Sequence, residues 1–184
     1  MTAPTRRRPR DPVGRRQTIV DAATRVIAEA GLAGLTHRRV AEVAGVPVGS
    51  TTYYFKDLDE LREAALADAA RASIEGLDQW ADALSDTTDL PGALARLAAE
   101  YLADHDRYRA CNELYTAASH RRELRPLARL WFDGLIAILE PRTGRTAAQA
   151  AAIFIDGALL HALITGEPLS TAALDEALGK LLAT

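Results

Sequence analysis

Thr36-His37-Arg38-Arg39-Val40-Ala41-Glu42-Val43-Ala44-Gly45-Val46-Pro47-Val48-Gly49-Ser50-Thr51-Thr52-Tyr53-Tyr54-Phe55 is the stretch that decides how the rest of the chain is read. It predicts two short helices joined by a tight turn. Thr36 carries the side-chain oxygen that an N-cap needs. Gly45, where the first helix stops, can take the positive φ of a sharp reversal. Ala41 lies one turn before Gly45 on the same side, where a methyl lets the next helix pack close at a steep angle. Val46 then offers an apolar anchor, and Pro47 suits entry into the second helix. In that second helix Thr51 and Phe55 share the inward side at i, i+4, which turns Val48, Gly49, Thr52 and Tyr53 outward.

Helix, short turn and helix crossing at roughly 90–120° is the arrangement by which a second helix enters the major groove of DNA. The residue types agree with that use. Thr36, Arg38 and Arg39 begin the first helix, where the phosphate backbone crosses. Gly49 and Ser50 admit close approach of backbone to phosphate. Tyr53 and Tyr54 bring hydroxyl donors and flat rings to lie against sugar or a thymine methyl, with Val48, Thr52 and Lys56 beside them. A generic helical hairpin with surface tyrosines is the competing reading of the pattern.

Charge is distributed unevenly. The chain of 184 residues has a net charge of −3. Residues 1–62 hold eleven basic and seven acidic residues, a surplus of +4, while residues 63–184 carry −7. A basic head on an acidic body fits a polyanion-binding end joined to a part with another task. The hydrophobic share of 48% is enough for a sizeable core. Alanine and leucine dominate and β-branched runs are scarce, so an all-helical fold is expected. The single cysteine, Cys111, excludes a disulfide framework and a thiolate zinc cage, and fits the cytoplasm. The Arg-rich N-terminus has no apolar stretch that would make it a signal peptide. Residues 147–164 resemble a membrane span in length, but Gln149, Asp156 and His161 interrupt them, and a helix buried in protein is the better reading.

Periodicity places the remaining elements. Residues 1–14 are expected to form a flexible basic arm, and the arginines from Arg6 to Arg16 are placed for phosphate or minor-groove contacts, a solvated tail being the alternative. A first helix runs from about Arg15 to Ala30, closed by Gly31 as a left-handed C-cap. Asp57 and Glu60 open a long helix towards residue 84 in the manner of a capping box. Further helices start near Asp89, near residue 107, at Pro126, at Thr146 with Gln149 as its capping partner, and at Thr171.

Over Arg16 to Leu61 the chain resembles the tetracycline-repressor (TetR) family of bacterial transcription regulators. The resemblance is carried by Ile19, Ala22-Ala23, Gly31, Thr36, Val40-Ala41, Ala44-Gly45-Val46, Gly49-Ser50, Tyr54-Phe55 and Asp59-Glu60-Leu61. It implies that Arg38, Val48, Gly49, Ser50, Thr52, Tyr53 and Tyr54 touch bases or backbone. Three positions depart from the family pattern: Thr52 stands where tyrosine is frequent, Tyr54 where histidine is, and Leu58 where a phosphate-binding lysine is usual. Lys56 and Arg62 are the nearest cations to take its place.

The resemblance further implies a helix-turn-helix domain at 15–60 and a ligand-binding and dimerisation domain at 61–184. Pocket candidates on the enclosing helices are Trp80, Tyr101, Tyr108, Cys111, Asn112, Tyr115 and Trp131. Dimer-interface candidates on the last two helices are Phe154, Gly157, Ala158, His161, Leu174, Leu178 and Leu181. The helix 146–165 is apolar nearly all round and so needs burial on more than one side. A homodimer supplies that burial and accounts for Asp156 and His161, with core packing inside one chain as the alternative. The expected partners are a double-stranded DNA operator, a small-molecule effector and a second copy of the chain. No cofactor and no membrane are expected.

No metalloprotease, P-loop, dinucleotide or nucleophile-elbow motif is present, which argues against an enzyme. His105, Glu113 and His120 lack compact metal-ligand spacing, so no metal site is expected. A helical ligand-binding or adaptor module without DNA recognition is the alternative function, with Leu58 as its one sequence hint.

Overall fold

The computed structural model describes residues 12–103 and 105–183, with no side-chain description at 73 and 105–108. The arm's Arg6, Arg7, Arg8 and Arg10 therefore lie outside the described residues, as do the side chains of Tyr108 and His105. The described residues form helices and no strand, as the composition predicts.

Helix α1 (Pro12–Ala30) begins three residues before the expected start, because Pro12 occupies the first turn, where a missing N–H costs nothing. Gly31 follows at φ +68° and ψ 176°, a backbone region outside the expected left-handed cap, and opens an unforeseen 3₁₀ turn at Leu32–Gly34. Helices α2 (His37–Ala44) and α3 (Val48–Tyr54) come next. The turn between them is built as the residues dictate. Gly45 sits at φ 63°, ψ 35°. Its N–H donates to the Glu42 carbonyl at 3.2 Å, and the Val46 N–H donates to the Ala41 carbonyl at 2.9 Å. This is the Schellman pair of bonds, which satisfies two carbonyls at the helix end.

Helix α4 (Leu58–Ser85) spans 28 residues, a length of ~42 Å at 1.5 Å per residue. The Asp57 side chain accepts from the Glu60 N–H at 2.9 Å, while the Glu60 carboxylate accepts from the Lys56 N–H at 2.7 Å. The capping box thus closes one residue further out than its usual form. After it come α5 (Leu90–Ala103), α6 (His105–His120), a 3₁₀ turn at Arg122–Leu124, α7 (Arg125–Thr143), α8 (Arg145–Thr165) and α9 (Thr171–Leu182). One expectation fails here. Thr146 does not cap α8; the helix starts at Arg145 with Gly144 in the capping position and no side-chain bond. Helix α7 runs on through Pro141 to Thr143, which leaves no room for a Thr146 cap.

Two apolar clusters hold these helices together. The first joins Ile19, Val26 and Ile27 of α1 to Leu35, Val40 and Phe55, to Leu61 and Leu66 of α4, and to Leu114, Ala117 and Ala118 of α6. The second joins Trp80 and Leu84 of α4 to α5, α7, α8 and α9 through Leu94, Leu135, Ile155 and Leu178 among others. Helix α4 contributes to both. Arg142 of α7 ties its far end, donating to the Leu84 and Thr87 carbonyls at 2.6 Å each. Where α7 crosses α4, a Cβ on Gly134 would meet Leu77 Cδ1 at 2.6 Å, a clash that a shift of the leucine side-chain end relieves.

Helix α8 is long and apolar enough to cross a bilayer by length and composition. Its Ala148, Ala151, Ala152, Ile155, Ala158, Leu159 and Ala162 are buried within the bundle. Replacing Gly45 by Ala places a Cβ on left-handed backbone at an expected cost of ~1 kcal/mol. Thermal unfolding should then show Tm lowered by ~2–4 °C.

Candidate nucleic-acid interface and ligand groove

The second helix of the turn presents the face read from its sequence. Tyr53 is 81% exposed and Val48 46%. Gly49 and Thr52 are exposed as well, and nothing lies within 4 Å of where a Gly49 Cβ would stand. The inward side is held at two points. Phe55 is fully buried, and the Arg16 guanidinium lies over its ring at 4.8 Å. Thr51 is fully buried too, and its hydroxyl donates to the Val48 carbonyl at 2.8 Å. That bond uses the hydroxyl's one proton, so Thr51 Oγ1 accepts from His37 Nδ1 at 3.1 Å. His37 is a positioning residue that the sequence reading missed. Its signal was weak: a histidine in a first helical turn, fourteen positions from its partner.

The expected contact residues divide between two depressions. One brings Gly49, Ser50, Tyr53 and Tyr54 beside Pro47 and beside Pro12 and Arg15 of α1. Arg15, near the inner end of the Arg6–Arg16 run of arginines, is exposed there. The other brings Thr36, Arg38 and Arg39 together with Glu29 and Glu42. Thr36 caps α2 by accepting from the Arg39 N–H at 3.2 Å. Arg39 pairs with Glu29 at 3.5 Å, which leaves Arg38 as the exposed cation of that depression without a carboxylate partner among the described residues.

Tyr54 is half-buried and packs on the first apolar cluster while meeting the Tyr53 ring edge-on at 5.1 Å. Leu58 packs on the same cluster, so that position serves the core. Of the two nearby cations, Arg62 is paired with Asp59 and its side chain is largely covered, whereas the Lys56 side chain is 87% exposed.

The pocket candidates do not enclose one cavity. Trp80, Tyr101 and Trp131 fill their space with each other: Tyr101 stacks on Trp131 at 6.0 Å, and Trp80 meets both edge-on at 6.1 and 6.2 Å. Cys111, Tyr115 and Trp131 line a void of about 10 Å³, room for a single water. Asn112 is half-buried on α6 and lines neither this void nor the groove beside it. The roomier space is a groove of about 350 Å³ where α6, α7 and α8 meet, walled by Tyr115, Ala118, Ala128 and Phe132 and containing the Asp156 carboxyl. Of the expected pocket residues with described side chains, Tyr115 alone lines it.

The interface candidates also need correction. Leu174 and Leu178 are 0% exposed and Ala158 is buried, because α9 turns these leucines onto α5 and α8 packs inward through Ala158. They belong to the core of one chain. Phe154 and Leu181 are half-buried, and Gly157 and His161 are exposed. Beside them stand Ile153, Leu160 and Ile164, exposed by 56%, 49% and 76%. Positions 153, 157, 160, 161 and 164 form one helical stripe. Asp156 lies off that stripe, in the groove.

Burial pushes the Asp156 carboxyl up to about 7. Burial, the Asp156 charge and Cys111 raise the Tyr115 phenol, which stays protonated. An unfolded aspartate titrates near ~3.9, so at intermediate pH the folded chain keeps a proton that the unfolded chain has released. The contribution of Asp156 to stability therefore falls as pH rises through this window and is least favourable above about 7. Asp156→Asn should raise Tm at pH 8 by more than at pH 5. Equal changes at both pH values would contradict the burial of this carboxyl.

Comparison with known proteins gives a consistent result. The family model described as bacterial regulatory proteins, tetR family, matches residues 19–65. The one described as tetracyclin repressor-like, C-terminal domain, matches residues 85–184. The HTH-type transcriptional regulator BetI of Burkholderia thailandensis is 32% identical over 177 residues, covering 86% of this chain and 87% of that protein. A solved structure of a TetR-family member from Streptomyces coelicolor A3 is 43% identical with a TM-score of 0.81, over 92% of this chain and 99% of that one. The multidrug binding protein EbrR, complexed with ethidium, is 43% identical with a TM-score of 0.76, over 92% and 99%.

Proposed function

Given that the chain belongs to the tetR family of bacterial regulatory proteins, a family of DNA-binding transcription regulators, we propose that it is a homodimeric repressor. It binds a palindromic operator in the cytoplasm and is released by a small apolar or amphipathic ligand. The observation that carries the reading is α3: an outward face of Val48, Gly49, Thr52 and Tyr53 on a helix whose inward face is locked by Phe55 and by the His37–Thr51 bond. A rigid, exposed, uncharged helix flanked by Arg15, Arg38 and Lys56 suits base reading between phosphate contacts.

Residues 15–60 serve as the reading head and 61–184 as the sensing and pairing body. The α8 stripe of Ile153, Gly157, Leu160 and Ile164 supports pairing, since a self-complementary apolar face closes a two-fold dimer. Two heads then address half-sites ~34–36 Å apart. The similarity to EbrR, a multidrug binding protein solved with ethidium, proflavin or malachite green, supports an effector of small-molecule size. For a ~100-fold loss of operator affinity the effector must prefer the non-binding state by ~2.7 kcal/mol.

A gel shift with the DNA upstream of the protein's own gene tests the reading, and absence of sequence-selective binding at moderate salt would defeat it. Tyr53→Ala should lower operator affinity about 10-fold or more; an adaptor without DNA recognition would bind its partners unchanged. Arg38→Ala should weaken all DNA sequences alike and reduce the salt slope by ~1. Leu160→Glu with Ile164→Glu should shift sedimentation from dimer to monomer, and a dimer surviving both changes would place the interface elsewhere.

A further inference from the structure

The groove between α6, α7 and α8 has a charge composition that specifies more than size. Its walls are the Tyr115 and Phe132 rings and the methyls of Ala118 and Ala128. Two arginines stand at its edge, but both are engaged. Arg129 donates to both oxygens of Asp133 at 3.2 Å each. Arg125 Nε donates to the Ala118 carbonyl at 3.4 Å. Neither neutralises Asp156, whose shift comes from burial with no cation opposing it. Among the described residues no ion pair reaches this carboxylate. A half-buried acid lacking a partner is relieved by a positive charge brought from outside. Aromatic faces alongside favour the same charge, and a groove of about 350 Å³ admits a small molecule and not a helix.

We infer that this groove is a binding site for a small organic cation with a flat apolar body, with Asp156 as counter-charge and the Tyr115 and Phe132 rings as walls. The inference rests on the ligand-responsive reading above and narrows its effector to one charge class and one site. The site also stands where an occupant is felt by the reading head. Helix α6 carries Tyr115 into the groove and, two residues earlier, Glu113, whose carboxylate accepts the Leu32 N–H at 3.2 Å just beyond α1. Ala118 lines the groove and is part of the head's apolar cluster. A ligand that displaces α6 acts on both contacts.

The test is a fluorescence titration of the full chain, without DNA, with ethidium and with phenanthridine, its uncharged ring core. The wild-type chain is expected to bind both. Asp156→Asn should lose ethidium affinity about 10-fold, equivalent to ~1.4 kcal/mol, and keep phenanthridine within about 2-fold, which also reports that the groove is intact. Asp175→Asn, which removes an exposed acid of α9 that does not line the groove, should leave ethidium affinity unchanged. Failure of the wild type to bind ethidium overturns the site, as do equal losses of both probes in Asp156→Asn or equal ethidium losses in the two variants. A chain that binds ethidium through Asp156 but no operator keeps the site and overturns the regulator reading instead.

Discussion

The reading head shares its apolar core with the body. Helices α2 and α3 contain eight and seven residues, lengths that are unstable in isolation. Leu35, Val40 and Phe55 are buried in a cluster with α1 and the first turns of α4, to which α6 adds Leu114, Ala117 and Ala118. Three of those supporting residues come from a helix more than fifty positions downstream. Helix α6 packs on α1, so a shift of α6 cannot leave the head's packing unaltered.

Polar contacts run along the same route. Gln17 of α1 donates to Asp68 of α4 at 2.9 Å, Arg121 beyond α6 pairs with Glu63 of α4 at 2.7 Å, and Glu113 reaches Leu32. The first and third join the head to the body, and the second ties α4 to the end of α6. Individually such partly exposed bonds contribute little. Together with the shared apolar cluster they make α1, α4 and α6 one mechanical unit. Coupling between a ligand site and a DNA site requires such an element with two arrangements that both ligands bias.

Much of the fold was legible because it rests on local chemistry. The Gly45 reversal, the Thr36 and Asp57 caps and the ends of α9 follow from residues within one turn of each other. The failures have a common cause. Thr146 has a capping side chain, yet α8 starts before it because α7 continues through Pro141. Leu174 and Leu178 have the spacing of an interface stripe, yet that stripe faces α5, and periodicity shows that a face is buried without showing what buries it. Trp80, Tyr101 and Trp131 lie on the expected helices, but their rings fill the space between them.

The sequence by itself determined the helical class, the turn between α2 and α3, and which side of α3 faces outward, because these depend on backbone preferences and side-chain period over short spans. Only the tertiary structure decided which apolar faces meet inside one chain, that the open stripe of α8 is Ile153, Leu160 and Ile164, and that Asp156 stands in a groove with Tyr115 and Phe132. Those outcomes depend on the packing angles of helices distant in sequence. A carboxylate reads identically on a helix whether it faces water, a partner chain or a cavity, and its chemistry is settled by what the other helices place opposite it.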